Sequence, residues 1–376
     1  ANDLAFILKL PDAALAPLLP AVAEAAERRD VRPTGDLGAI VNGLLARPDD
    51  AVRAGAPRLA AAWKLKNLRT TIESLARDTQ QPVGVRTAAI AALPGLDGIE
   101  SRETLLSLAD DKNPAAIRAA AVGAMGAIDP LAAAAQAAGL LGAAVHADDR
   151  TAEEVFRALL KRPAAASALA KSLAAKPPAT DAAKVGLRVA SALGSRDEAL
   201  FAALSSAAGL NRTATTMTPA EVAAFAVEVR QSGDPAHGAT VFARSELSCM
   251  TCHAMNGKGG HIGPDLGSLG TAQTVEFIVG SILEPNREVK EGYMSYEITT
   301  KAGDTYQAYI LREDANELVI RDLAADREVR LRKDAIAKRT QRGSVMPPGL
   351  ADTLTRAEFR DLVRYLAGTG HAATQP

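Results

Sequence analysis

The 376 residues predict a mainly α-helical protein in two parts, a helical array over 1–230 and a second domain over 231–376. The second domain is expected to carry a small antiparallel β insert at about 292–333. Three observations lead there. Alanine supplies 80 residues, 63 before residue 231 and 17 after, while all five tyrosines lie in the later part. The composition therefore breaks near residue 230. In the first part apolar residues recur at helical spacing, with Pro and Gly between the runs. Between Pro285 and Met346 the apolar period falls to two, the mark of half-buried strands.

Several classes drop out at once. A hydrophobic content of 48% excludes global disorder. A net charge of −1 gives no reason to expect nucleic acid or acidic membranes as partners. No transmembrane segment is expected: the most apolar run, Leu131 to Val145, is 15 residues long and contains Gln136. The chain opens Ala1-Asn2-Asp3-Leu4 without a basic, apolar leader, so a processed form or a fragment is expected. The two cysteines, Cys249 and Cys252, exclude a disulfide framework.

The first part contains an internal repeat. Pro82-Val-Gly-Val-Arg86-Thr-Ala88-Ala-Ile90 aligns with Pro114-Ala-Ala-Ile-Arg118-Ala-Ala120-Ala-Val122 at a constant offset of 32 residues. Ala158-Leu159 and Ala192-Leu193 continue the series, and Val52-Arg53 begins a similar unit upstream. A period in the low thirties with two helices per unit predicts an α-solenoid. The pattern Pro-x-x-Val/Ile-Arg-x-x-Ala resembles HEAT-type repeats, which implies either a concave docking scaffold or a packing spacer. Asp49-Asp50, Asp110-Asp111 and Asp148-Asp149 recur just before expected helix starts and read as N-terminal caps, not as a metal site. His146 reads as a surface residue, and Trp63 as core.

Ser248-Cys249-Met250-Thr251-Cys252-His253 carries the chemistry. Cys-x-x-Cys-His is the attachment pattern of c-type haem. A helical turn presents both thiols to the two vinyl groups on one porphyrin edge, and His253 then stands where it can bind iron. Zinc needs four ligands, and no second Cys pair exists. A thioredoxin-like site needs a βαβ context that is absent.

The surroundings strengthen this reading. Asp234-Pro235 opens a helix with Gly238, Val241 and Phe242. A glycine loop, Gly257-Lys-Gly-Gly260-His-Ile-Gly263-Pro264-Asp265-Leu266, follows the Cys motif. Thr355-Arg-Ala-Glu358 is a capping box that starts an amphipathic last helix. Helix, attachment motif, Gly-Pro loop, methionine before proline and final helix follow the class I cytochrome c order. Residues 234–370 resemble the PVC-type haem-binding c-type cytochrome domain. The resemblance rests on Gly238-x-x-Val241-Phe242, Cys249-x-x-Cys252-His253, Gly263-Pro264-Asp265-Leu266, Ile282-Leu-Glu-Pro285, Gly292-Tyr293, Met346-Pro347 and Tyr365-Leu366. It implies one covalently attached haem c, bound by His253, with Met346 as the distal ligand. It also implies that the Pro264 carbonyl fixes the other ring nitrogen of His253, with Gly263 beside it. In that family helical repeats often precede the haem domain.

The rival distal ligand is His261, in the glycine loop, which would give bis-His ligation and a lower potential. Asp265 reads as a loop cap. Two hairpins are expected, Met294–Thr300 with Thr305–Arg312 and Glu317–Leu323 with Glu328–Arg332. Tyr293 is a candidate for contact with a haem propionate; core packing is the other reading for it and for Tyr296, Tyr306 and Tyr309. Eight basic and four acidic residues between 321 and 345 suggest either steering of an acidic redox partner or a solvated strand face.

The expected function is electron transfer, from a dehydrogenase that oxidises a sugar or an alcohol to a downstream acceptor. No residue is assigned a catalytic role. The competing expectations are a haem enzyme or small-ligand sensor with an open sixth site, and a repeat scaffold that assembles a dehydrogenase complex. Periplasmic or other export is expected, because c-type haem is attached outside the bacterial cytoplasm.

Overall fold

The computed structural model describes residues 7, 9–29, 32–142, 149–210 and 216–371. His146 and Asp148, both considered above, lie outside them. The molecule is mainly helical with a small region of antiparallel sheet. It divides into two compact units, 1–209 and 210–376.

Twelve helices among the described residues build the first unit. They are α1 (Asp12–Arg29), α2 (Leu37–Leu45), α3 (Asp50–Ala62), α4 (Arg69–Arg77), α5 (Val83–Ala92), α6 (Arg102–Ala109), α7 (Ala115–Met125), α8 (Pro130–Gly142), α9 (Asp149–Leu160), α10 (Pro163–Ala175), α11 (Thr180–Ala192) and α12 (Glu198–Ala207). The odd-numbered helices pack on one another in series from α1 to α11, and α8, α10 and α12 form a second series. Alanines are buried along these contacts, where a small side chain lets helix axes approach. Trp63 is buried.

The repeat now has a physical basis. Pro82 and Pro114 stand at the N-caps of α5 and α7, which Pro tolerates because no helical partner exists there for its missing N–H. Arg86 is buried, and its Nε donates to the Ala76 carbonyl at the end of α4, at 3.0 Å. Arg118 makes the equivalent bond to the Ala109 carbonyl at the end of α6, at 3.4 Å. Each repeat arginine thus satisfies an orphan carbonyl of the preceding helix. Arg53 does not belong to this set; it binds Gln81 and Asp50 instead.

The acidic pairs part company. Asp49 caps α3 by accepting from the Val52 amide at 3.0 Å. Asp110 instead closes a turn after α6 by accepting from the Lys112 amide. No side chain caps α7, because Pro114 holds that position.

The second unit holds α13 (Pro219–Ser232), α14 (Pro235–Phe242), α15 (Cys249–Cys252), α16 (Leu269–Ala272), α17 (Val275–Leu283) and α18 (Arg356–Ala367). The composition break near 230 falls within α13. That helix is alanine-rich, but Phe225 and Val229 join the core of the second unit, and the Phe225 ring stacks on Phe359 at 5.1 Å. The expected boundary at 230 therefore moves upstream to residue 210. Asp234 caps α14, and Thr355 with Glu358 forms the capping box of α18. These two helices cross at Gly238, where a Cβ would lie 1.9 Å from the Asp361 carbonyl oxygen. Phe242 and Tyr365 close the crossing with ring centroids 5.7 Å apart.

Strands β1 (Ala254–Met255) and β2 (Lys258–Gly259) make a small ribbon after α15. The larger sheet consists of β3 (Ser295–Thr300), β4 (Thr305–Glu313), β5 (Glu317–Asp322), β6 (Arg327–Arg332) and β7 (Ile336–Gly343). Its order is β6-β5-β4-β3-β7, antiparallel throughout. Both expected hairpins are present, but the insert runs on past 333. Strand β7 has no apolar alternation and is mostly exposed; the β3 backbone holds it in place. It leads straight into the Met346 loop.

Candidate cofactor site

The stretch from 248 to 266 folds on itself by main-chain bonds. Ser248, at φ +55°, starts α15, and the His253 amide donates to the Cys249 carbonyl at 2.8 Å. The glycine loop is tied back across this turn. The Gly260 amide donates to Met250, Gly263 to Cys252 and Leu266 to Ala254, at 2.9, 2.7 and 2.9 Å. Asp265 caps the loop by accepting from the amides of Asn256, Gly257 and Gly267. Those bonds hold its carboxyl below the usual range.

The loop brings Pro264 under His253. The His253 Nδ1 lies 2.8 Å from the Pro264 carbonyl oxygen. That oxygen can only accept, so Nδ1 carries the proton and Nε2 keeps its lone pair. Burial pushes the imidazole below its ordinary value and so favours the neutral ring, against the opposite pull of the Pro264 bond. Gly263 lies against the ring: a Cβ there would sit 2.5 Å from His253 Cε1. Both thiols are free, and burial raises the Cys249 thiol above its ordinary value.

A cavity of about 740 Å³ opens on this turn, within the size range of cofactor sites. Cys249, Cys252, His253, Gly263 and Pro264 border it from one part of the chain. Tyr293 and Met346 border it from two others. Phe277 and Ile278 of α17 and Leu362 and Leu366 of α18 help to make it largely apolar. Of the four methionines after residue 230, only Met346 reaches this cavity; Met250 is exposed and Met255 packs in the core. His261 does not border the cavity. Its side chain is exposed, and its carbonyl accepts from Arg321 of β5 at 2.7 Å.

The tyrosines divide between two environments. Tyr296 and Tyr306 pack on the core of the sheet. Tyr309 borders the cavity beside Tyr293, edge to face with centroids 5.5 Å apart. Burial, with Tyr293 close by, pushes the Tyr309 phenol up to about 12. Core packing was the default reading for Tyr309, and its place on the cavity was not legible from the sequence. Phe277 was missed because α17 reads as an ordinary apolar helix.

The basic excess between 321 and 345 is largely met within the sheet. Arg321 pairs with Asp326, Arg332 with Asp334, Arg342 with Glu297, and both Lys333 and Arg339 with Glu313. This favours a solvated strand face over a steering patch. No family model and no curated protein matches the chain.

Proposed function

We propose that the second unit is a class I cytochrome c-like domain that holds one covalently attached haem c and transfers electrons. The first unit is then a HEAT-like α-solenoid. The bond between His253 Nδ1 and the Pro264 carbonyl carries this reading. It leaves Nε2 as a ready ligand in the wall of a cavity that two thiols and one thioether also border. Fixing one imidazole nitrogen on a carbonyl is how metal-bound histidines are commonly oriented.

Cys249 and Cys252 would each add S–H across a porphyrin vinyl group. This addition would put sulfur on one vinyl carbon and hydrogen on its neighbour, so holding the group in this way would need no oxidant. His253 would give Nε2 to iron, and Met346 would give its sulfur. When bound, haem supplies a one-electron ferric/ferrous couple, and a thioether ligand raises its potential. The apolar walls from α17 and α18 exclude water. With Met346 at the cavity, six ligands favour a carrier over an enzyme or sensor with an open site. The partners of this reading are a dehydrogenase as donor and a downstream acceptor. Attachment of this kind places the domain outside the bacterial cytoplasm.

Haem should remain with the wild-type polypeptide through denaturation and acidic solvent extraction. Replacing Cys249 and Cys252 by Ala should release it. The ferric protein should be low-spin with a weak far-red sulfur-to-iron band, and Met346→Ala should lose the band and bind carbon monoxide when ferrous. Freely extracted haem from the wild type would overturn the attachment. A wild type that is already high-spin would overturn the carrier reading.

A further inference from the structure

The loop from Gly343 to Gly349 has little packing to place it. Residues Ser344, Val345, Met346 and Pro347 border both the 740 Å³ cavity and a second one of about 370 Å³. Hydrogen bonds do the work that close packing does elsewhere. Gly343 ends β7 opposite Ser295 with φ +88°, a conformation that favours glycine. A Cβ on it would lie 2.2 Å from Asn286 Oδ1. The next amide, Ser344 N, donates to that same Oδ1 at 2.8 Å. Met346 N in turn donates to Ser344 Oγ at 3.1 Å.

Asn286 stands on firm ground. It follows the buried Pro285 at the end of α17, in a turn closed by the Arg287 amide on the Glu284 carbonyl at 2.9 Å. The Arg287 guanidinium lies over Gly280 of α17, where a Cβ would be 2.0 Å from Nη2. Ile278 and Leu283 of the same helix are in the core. A line of contacts therefore runs from α17 through Asn286 and Ser344 to Met346.

We infer that Asn286 is a positioning residue for the Met346 sulfur: through Ser344 it holds the thioether at the cavity and so keeps the sixth iron position closed. This rests on the haem reading above. The amide side chain suits the task because Oδ1 accepts without adding charge beside the cavity. Since Asn286 is exposed to water, the bond is an ordinary one, and its loss should shift the loop between closed and open forms by roughly fivefold.

The test uses the full chain with haem attached. Asn286→Ala should weaken the far-red sulfur-to-iron band and raise ferrous carbon monoxide affinity by roughly fivefold, the population shift one net hydrogen bond governs. Asn286→Asp keeps an Oδ acceptor and should restore the band. Ser344→Ala breaks the next bond in the line and should shift both readouts the same way, and it decides the question if Asn286→Ala does not fold. Wild-type behaviour in both alanine variants, while Met346→Ala loses the band, would overturn the inference and leave the ligand assignment standing. Equal disturbance by Asn286→Asp and Asn286→Ala would also overturn it. A band that survives Met346→Ala would show instead that the haem reading beneath it is wrong.

Discussion

Helices α5 and α7 of the first unit and the α14–α18 crossing of the second are both helix packings, but their tolerances differ. The first pair is built on repeated burial of small side chains: a Cβ on Gly123 of α7 would meet only the Ala158 Cβ, at 3.0 Å. Gly84 of α5 has nothing within 4 Å of where its Cβ would be. At the crossing, Gly238 meets a carbonyl oxygen 1.9 Å from the same point. Where the array is tight, at Gly55, Gly126 and Gly186, the atom met is on a side chain, 2.5 to 2.7 Å away, and a side chain can give. At Gly238 the atom met is backbone, which cannot give without moving the helix.

Substitutions can break this contrast, and the largest effect should come from Gly238→Val. The branched side chain has no space against the Asp361 backbone, and overpacking plus helix displacement should cost about 3 kcal/mol. Urea unfolding of the second unit measures it. A cost below about 1 kcal/mol would mean that α14 shifts freely and that the crossing is as tolerant as the array.

Next comes Arg86→Leu in the first unit. It leaves the buried Ala76 carbonyl without its partner, a loss of about 1–3 kcal/mol. Arg118→Leu should cost less, since its bond is longer at 3.4 Å and the side chain is only half-buried. Urea midpoints for the two variants give the order; equal costs would show that the arginines act by packing alone.

A smaller, pH-dependent effect belongs to Asp361. Its buried carboxylate accepts from Arg360, from the Asp234 amide and from His237 at 2.8 Å. Burial raises its affinity for a proton, but these bonds prevail and hold it below the ordinary value. The sign follows directly. A depressed folded value gives stability that is present above the unfolded carboxylate range, near pH 4, and lost as pH falls through the lower folded value. Asp361→Asn should therefore be less stable than wild type at pH 7, and the gap should close as pH falls below the unfolded carboxylate range. Urea midpoints across that range check it; a constant gap would assign the loss to shape, not charge.

The smallest effect sharpens the comparison from the tolerant side. Gly84→Ala should stabilise the first unit by about 0.5–1 kcal/mol, since α5 gains a better helix former in open space. A thermal midpoint that falls instead would mean that this face of α5 is not open.

Much of the molecule was legible because its signals are local. The Cys249-x-x-Cys252-His253 spacing, the Thr355–Glu358 capping box and both hairpins lie within a few residues, and each folded where it was expected. Strand β7 was not legible, because it is held by backbone bonds to β3 and carries no apolar alternation. Helix α13 was misassigned for the opposite reason. Its alanine content matches the first unit, but its buried face belongs to the second.

By itself the sequence determined the mainly helical content, the two-part division and the fold of the Cys249–His253 turn, because periodicity and short spacing act through neighbouring residues. Tertiary structure decided the rest. Only folding sets the Pro264 carbonyl against Nδ1, brings Tyr293, Tyr309 and Met346 to one cavity, and turns His261 away from it. It also joins Asn286 to Ser344, from segments that share no periodicity. Such pairings depend on how far each helix and strand carries its ends in space, and residue spacing alone does not encode that distance.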